Sequence, residues 1–173
     1  ELALTTVNAE SRRRDGFRWS TTLNLAINRN KVTALFNNEP FTDGERSINR
    51  VEVGQPIGMF YALNFLGVDP ATGDAIYQDV DGDGSITSAA RVIVGNPHPN
   101  FTGGLTNTLS YKGFDFTGFF TFSQGNDVFN AMRLFSDAGG YYTDSQFGNA
   151  RNRWENPGDQ TDQPRASYDG NSG

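Results

Sequence analysis

Three aspartates at alternate positions begin a loop with the composition of a calcium site. Asp79, Asp81 and Asp83, followed by a glycine, match the start of an EF-hand-type loop, in which alternate residues supply oxygen ligands and a glycine makes the turn. The next oxygens would come from the carbonyl of Ser85 and the hydroxyl of Thr87. Carboxylates this close together repel one another unless a cation or water screens them, so the cluster favours a divalent ion.

The end of the same loop departs from the calcium-binding pattern. Ala90 stands where the bidentate acidic ligand belongs. Two interpretations therefore stay open. One is a calcium site of the weak extracellular class, with a dissociation constant of about 10⁻⁴–10⁻³ M. The other is an Asp/Gly-rich turn whose carboxylates accept hydrogen bonds from backbone N–H groups. Calcium is the one cofactor that the sequence suggests.

The composition argues against catalysis and against nucleic-acid binding. The chain has 173 residues, no cysteine and a single histidine, His98, which lies between two prolines, so a zinc site or a Ser-His-Asp triad has no support. Nothing in the sequence places two carboxylates across a cleft, as glycoside cleavage requires. With a net charge of -6 at pH 7, the chain lacks the excess of basic residues that contacts with nucleic-acid phosphates need. We therefore predict a protein that is not an enzyme.

Aromatic residues outside the regular strands are candidates for ligand contact. Tyr141, Tyr142 and Trp154 lie in polar stretches, the first two within GGYYTDSQFGN. Binding residues are often carried by loops that a rigid scaffold positions. These side chains could stack on sugar rings or contact a partner protein. The alternative is that they pack the loops against one another.

Four stretches that alternate apolar and polar residues predict the strands that would position these loops. They cover about residues 1–9, 17–28, 101–111 and 114–123, and within the last of them Phe119 breaks the alternation. Segments of about 10 residues with aromatic side chains near their ends are typical of tilted strands that cross a bilayer. The pattern predicts an all-β fold, with antiparallel strands that form part of a large transmembrane β-barrel.

The connections between these strands alternate between short and long. Lys112 and Gly113 alone join the last two strands, and a short polar turn joins the first two. The stretches 29–100 and 124–173 are far longer than the usual connection of about 4–6 residues. Outer-membrane barrels have short periplasmic turns and long outer loops, so we expect both stretches to be extracellular. Short strands are predicted inside the first of them, at GMFYALNFLGVD, DAIYQDV and RVIVG.

Four long strands are too few to close a membrane barrel, for which about eight are needed. We therefore expect the chain to be part of a larger barrel. The alternative is a secreted soluble β-sandwich that binds calcium and a glycan at its surface. A transmembrane helix is excluded, because the sequence has no sufficiently long apolar run.

Several motifs resemble, in their order, the C-terminal barrel region of the SusC/RagA family of TonB-linked outer-membrane proteins. They are VGQPIGMFYALNFLGVD, YQDVDGDGSI, RVIVGNPHPNFTGGLTNTLSYKGFDFTGFFTFSQGNDVFN and RNRWENPGDQTDQPRAS. The most specific part is the Gly95-Asn96-Pro97 turn, followed by the paired strands and the SQGNDVFN stretch. Family members commonly carry further acidic residues after the aspartate loop, where this chain has Thr87–Ala90.

The resemblance implies a bacterial outer-membrane barrel of about 22 strands with an N-terminal plug. It also implies that this chain, residues 1–173, is an internal piece of the barrel, without the plug domain and without the final strands. It implies nutrient import that is driven through TonB, which would engage an N-terminal region outside this sequence. It also implies oligosaccharide or peptide cargo, captured together with a SusD-like surface lipoprotein. The other expected contact of such a segment is the lipid of the outer membrane.

Overall fold

The computed structural model describes residues 1–13, 15–137 and 145–167. Within them, no helix is long and apolar enough to cross a bilayer. A short helix, α1, covers Arg133–Ser136, and the strands are β1 Leu2–Glu10, β2 Arg18–Ala26, β3 Phe41–Asp43, β4 Asn49–Val51, β5 Met59–Ala62, β6 Phe65–Val68, β7 Ala75–Tyr77, β8 Val92–Gly95, β9 Phe101–Tyr111 and β10 Phe114–Gln124. The chain divides into two compact units.

Unit 1 consists of residues 1–40, 51–58 and 96–127 and contains the four long strands. They form one antiparallel sheet in the order β1-β2-β9-β10. Each end of these strands lies within two residues of the end that the alternation predicts. The pairing of β2 with β9 joins segments that the long connection separates in sequence, and it sets the register on which both faces of the sheet depend.

One face of this sheet is apolar and uncovered. In register, Leu4 pairs with Leu23, Leu23 with Leu105, and Leu105 with Phe120. Phe114, Phe116 and Phe120 are 81%, 65% and 63% exposed, so no second layer of described residues covers these rings. A β-sandwich would bury such a face against another sheet. The structure therefore does not favour the sandwich, whereas a barrel strand directs this face to lipid.

Polar side chains on the apolar face bond to one another. Trp19 Nε1 and Thr21 Oγ1 donate to Asn107 Oδ1 over 3.0 and 2.7 Å, and Asn8 Nδ2 donates to Thr21 Oγ1 over 2.6 Å. In hydrocarbon an unpaired polar group costs several kcal/mol. The side chains of this cluster largely satisfy one another's hydrogen-bonding groups.

The β9–β10 hairpin turns through Lys112 and Gly113, as the sequence predicts. Both residues have positive φ, 49° and 83°, which is the geometry of a type I′ turn and matches the twist of the flanking strands. The N–H of Lys112 donates to the carbonyl of Asp15 in the β1–β2 turn over 2.9 Å. The two short turns therefore lie side by side at one end of the sheet.

Unit 2 consists of residues 41–50, 59–95 and 128–173, of which the described part carries two small sheets. One has the order β3-β4-β5-β8, and the other pairs β6 with β7. Strands β5 to β8 lie within the three stretches where the sequence predicts short strands. Strands β3 and β4 have three residues each, too few for an alternation to be recognised, and no pattern in the sequence predicts them.

Candidate functional site

The three aspartates of the predicted calcium loop come together between β7 and β8 in unit 2. Asp79, Asp81 and Asp83 are exposed, and each offers a carboxylate oxygen such that all three oxygens lie within 4.8 Å of one another. Gly82 and Gly84 have φ of 74° and 78°, a backbone conformation that glycine adopts without strain. These two glycines let the chain fold back over Asp79.

Backbone N–H groups occupy part of the carboxylate cluster. Asp79 Oδ1 accepts from the N–H of Gly82 over 2.8 Å, and its Oδ2 accepts from the N–H of Gly84 over 3.0 Å. Asp83 Oδ1 accepts from the N–H of Ser85 over 2.7 Å. These bonds are those of an Asp/Gly-rich turn, and each oxygen retains a lone pair for a cation.

The residues at the end of the loop bond and pack within the protein. Thr87 Oγ1 accepts from the N–H of Ala89 over 3.2 Å and caps a 3₁₀ turn, Ser88–Ala90. Ala90 closes this turn with a fully buried side chain. The carboxylates are therefore the clearest ligands that the loop offers. Calcium occupancy stays a prediction, which a calcium titration without effect on the amide resonances of Gly82 and Gly84 would contradict.

Acidification should loosen this loop. The N–H groups of Gly84 and, next, Gly82 lower the pKa of Asp79 from its ordinary value. Folding then favours the carboxylate, so its contribution is complete above the ordinary carboxyl pKa and is lost as the pH falls through the lowered pKa of the folded loop. We expect the hydrogen-exchange protection of both glycine amides to fall over that acidic range. In the Asp79→Asn variant, whose side chain accepts but does not titrate, this pH dependence should vanish; its persistence would assign it to another group.

Trp154, a predicted ligand-contact residue, is half-buried and packs against the 69–74 turn of unit 2, and ligand contact at this residue stays a prediction. Its Nε1 donates to the carbonyl of Pro70 over 3.0 Å, and its ring lies where a Cβ on Gly73 would fall 2.4 Å from Cε3. Arg165 secures the same turn, with Nε 2.7 Å from Asp74 Oδ1. Trp154 thus fastens the 69–74 turn to the 152–167 segment. The other two candidates, Tyr141 and Tyr142, lie outside the described residues.

Two of the motifs that carry the family resemblance, the Gly95-Asn96-Pro97 turn and SQGNDVFN, meet at the end of the unit 1 sheet opposite the short turns. The N–H of Asn96 donates to Asp127 Oδ2 over 2.8 Å, and the N–H of Asp127 donates to the carbonyl of Asn96 over 2.7 Å. His98 Nε2 lies 2.7 Å from the carbonyl oxygen of Ile57. These bonds join the Gly-Asn-Pro turn to the chain that leaves β10, and His98 is a structural residue of that turn.

Phe119 gives the polar face of the sheet an exposed aromatic ring. It pairs with Thr106, is 63% exposed, and its Cε2 lies 3.1 Å from where a Cβ on Gly104 would be. That same position lies 3.2 Å from Asn24 Oδ1. The glycine therefore leaves the space in which the ring and the amide meet. The sequence signal was the break in alternation at Phe119, but its partner is visible only once the strands are in register.

A cavity of about 470 Å³ adjoins this face at the end of β2 and β9. Its lining includes Asn28, Ile57, His98, Phe101 and Thr102. Thr102 lies on β9 two residues from Gly104, so its side chain is on the same face of the sheet as the Phe119 ring. Phe101, which also lines the cavity, packs against Phe122 on the apolar face, so the cavity lies at the ends of the strands and is lined from both faces of the sheet.

Among known proteins, the chain is similar to TonB-dependent receptors in sequence and to RagAB in fold. No family model matches the chain. It is similar to TonB-dependent receptors P26 and P3 of Formosa agariphila, with 34% and 31% identity over 100% and 92% of the chain. Among solved structures it is similar to the RagAB peptide transporter, with a TM-score of 0.80 and 22% identity over 95% of the chain. The chain spans 19% of the P26 receptor, 18% of P3 and 19% of the matched RagAB chain.

These matches bear on the fold and on the family. At 22% identity the RagAB structure shows the fold alone, and it confirms the predicted all-β class, with antiparallel strands that form part of a large transmembrane barrel. The match to TonB-dependent receptor P26 covers the whole chain. Together, the similarity to TonB-dependent receptors and the likeness in fold to RagAB support the predicted resemblance of this chain to the SusC/RagA family of TonB-linked outer-membrane proteins.

Proposed function

We propose that this chain forms part of the wall of a TonB-dependent transporter that imports a nutrient across the bacterial outer membrane. The observation that carries this proposal is the unit 1 sheet, with one uncovered apolar face and one polar face. An apolar face toward lipid and a polar face toward the interior are the requirements of a channel wall. Transport, and no catalysis, is the role of such a segment.

The outer edges of the sheet support its place in a larger barrel. Strands β1 and β10 are the edge strands of the described sheet. An open edge leaves backbone N–H and C=O groups without partners, which is not tolerated in hydrocarbon. Within the membrane these edges pair with further strands, and the greater length of the relatives leaves room for such strands, for a plug and for a region that contacts TonB.

Unit 2 is the extracellular part in this proposal, because its segments connect strands at the end opposite the short turns. The β6–β7 hairpin exposes Phe65, Leu66 and Ile76, which are 41%, 61% and 43% exposed. Exposed apolar groups on a loop suit contact with a partner protein. We propose a SusD-like lipoprotein as this partner, with an oligosaccharide or a peptide as cargo.

Uptake by cells tests the function. A strain that lacks the full-length gene should lose growth on the transported nutrient and regain it with the intact gene, but not when TonB is absent. The full-length protein should fractionate with the outer membrane and migrate on gels as a heat-modifiable barrel. Recovery in the soluble fraction as a folded protein would overturn the proposal.

A further inference from the structure

We propose that the apolar face of the unit 1 sheet carries a seat for one glycerophospholipid. The side-chain amide of Asn107 donates to an ester carbonyl of the lipid, and Gly118 forms the floor of a groove for an acyl chain. This inference rests on the proposed function, since it takes the apolar face to be turned toward the membrane. It differs from general contact with lipid because it assigns a hydrogen bond and a groove to one position on the wall.

The hydrogen bonds of Asn107 fix which way its amide is turned. Trp19 Nε1 and Thr21 Oγ1 both donate to Asn107 Oδ1, over 3.0 and 2.7 Å. An indole N–H can only donate, so the amide oxygen has to lie on that side. Thr21 Oγ1 in turn accepts from Asn8 Nδ2 over 2.6 Å. The Nδ2 group of Asn107 is left on the other side, and among the described residues it has no acceptor.

The missing acceptor cannot come from another strand of the sheet. Asn107 lies on β9, and both neighbours of that strand, β2 and β10, are described. Cross-strand contacts reach the residues directly opposite and their diagonal neighbours. Thr21 and Gly118 are opposite Asn107, and Gly118 has no side chain. The interior of the barrel, whatever fills it, is on the other face of the sheet. The acceptor must therefore come from the membrane side, where an unpaired N–H costs several kcal/mol.

Gly118 opens a groove beside this amide. The rings of Phe116 and Phe120, its neighbours on the same face, lie 3.4 and 3.5 Å from where a Cβ on Gly118 would be. The groove therefore has a backbone floor and two aromatic walls, which suit the methylene groups of an acyl chain. A glycerophospholipid matches both features at once. Its ester carbonyls accept hydrogen bonds and do not donate, and each is attached to an acyl chain.

The height of Asn107 on the wall agrees with a lipid of the leaflet nearer the short turns. Asn107 lies four residues from Tyr111, where β9 ends at the turn. At about 3.3 Å per residue and a tilt of about 40°, this is about 10 Å, within the nearer half of an apolar band about 25 Å tall. Trp19 lies one row nearer the turns and is of a residue type that concentrates at the membrane interface. Only about 5 Å of height separates that row from Asn107, which brings the ester groups within reach.

Lipid binding to the purified full-length protein tests the seat. Native mass spectrometry from a non-ionic detergent would compare a diacyl phosphatidylethanolamine with its dialkyl ether analogue, which has the same headgroup and chain lengths but no ester carbonyl. We expect the first diacyl lipid to bind about three- to tenfold more tightly than the ether lipid, as one hydrogen bond provides. Gly118→Val fills the groove and leaves the polar cluster intact, so it should abolish this difference. Asn107→Leu, which removes the donor, should abolish it as well.

The matched control is Leu25→Val, which places valine on the same face two rows from Asn107 and outside the groove. It should keep the preference, and heat-modifiable migration should show that each variant is folded. Equal Kd values for the two lipids on the wild type, or a preference that survives in Gly118→Val or Asn107→Leu, would overturn the seat. Efficient disulfide linkage in vesicles between two copies that carry Gly118→Cys would also overturn it, since a second protein would then cover the groove. Nutrient uptake that persists with such a result would leave the transport function standing.

Discussion

Replacing Phe120 with arginine is expected to lower the stability of the folded barrel by about 2–4 kcal/mol, whereas the same change at Phe119 is expected to have little effect. The two residues are neighbours on β10, and both are 63% exposed. They differ in the face that they occupy, because successive side chains of a strand point to opposite sides. Phe120 lies in the apolar row with Leu23 and Leu105, so arginine there would place a charge in hydrocarbon.

The measurement is urea unfolding of the full-length protein in lipid vesicles, followed by tryptophan fluorescence and by gel migration. Phe119→Arg is the matched control, since it adds the same charge at the same exposure on the interior face. If both variants lose the same stability, or neither loses any, the two faces have the same surroundings. Either result would contradict the assignment of one face to lipid and the other to the interior of a barrel.

The long strands were predictable because the alternation of apolar and polar residues is visible within each strand. The alternation in β9 and β10 repeats over about 11 residues, and Lys112-Gly113 has the positions of a two-residue turn. The surroundings of the Phe119 ring were not predictable in the same way. Its environment depends on Gly104 and Asn24, which reach it only through the pairing of β9 with β10 and with β2. A break in alternation identifies an unusual residue, but the register identifies what it contacts.

The loops show why chemistry is harder to predict than strands. Alternate spacing brought Asp79, Asp81 and Asp83 together as expected, because ligands so close in sequence need only a tight turn. Trp154 lies in a polar stretch, and its indole N–H and ring contact Pro70 and Gly73, which lie about 80 residues earlier in the chain. No local pattern reports a contact between such distant segments.

Replacing Gly103 with valine is expected to destabilise the barrel by about 3 kcal/mol, because the strands leave no room for a side chain there. A Cβ at this position would lie 2.4 Å from Cζ of Phe122 and 2.5 Å from the carbonyl oxygen of Asn24. The Phe122 ring could rotate, although it also packs edge-on against Phe101 at 6.2 Å. The carbonyl cannot move without disturbing the β2–β9 pairing, and this pairing joins the two hairpins of the sheet.

Gly118→Val provides the matched control for this substitution. Gly118 occupies the same apolar face on the adjacent strand, but a Cβ there would come no closer than 3.4 Å to the Phe116 and Phe120 rings. Valine suits a strand, so we expect Gly118→Val to change the unfolding free energy by no more than about 1 kcal/mol. The same urea titration in vesicles measures both variants. A loss at Gly103 no greater than the loss at Gly118 would mean that β2 and β9 do not approach each other in this register, and it would contradict the pairing that joins the two hairpins into one sheet.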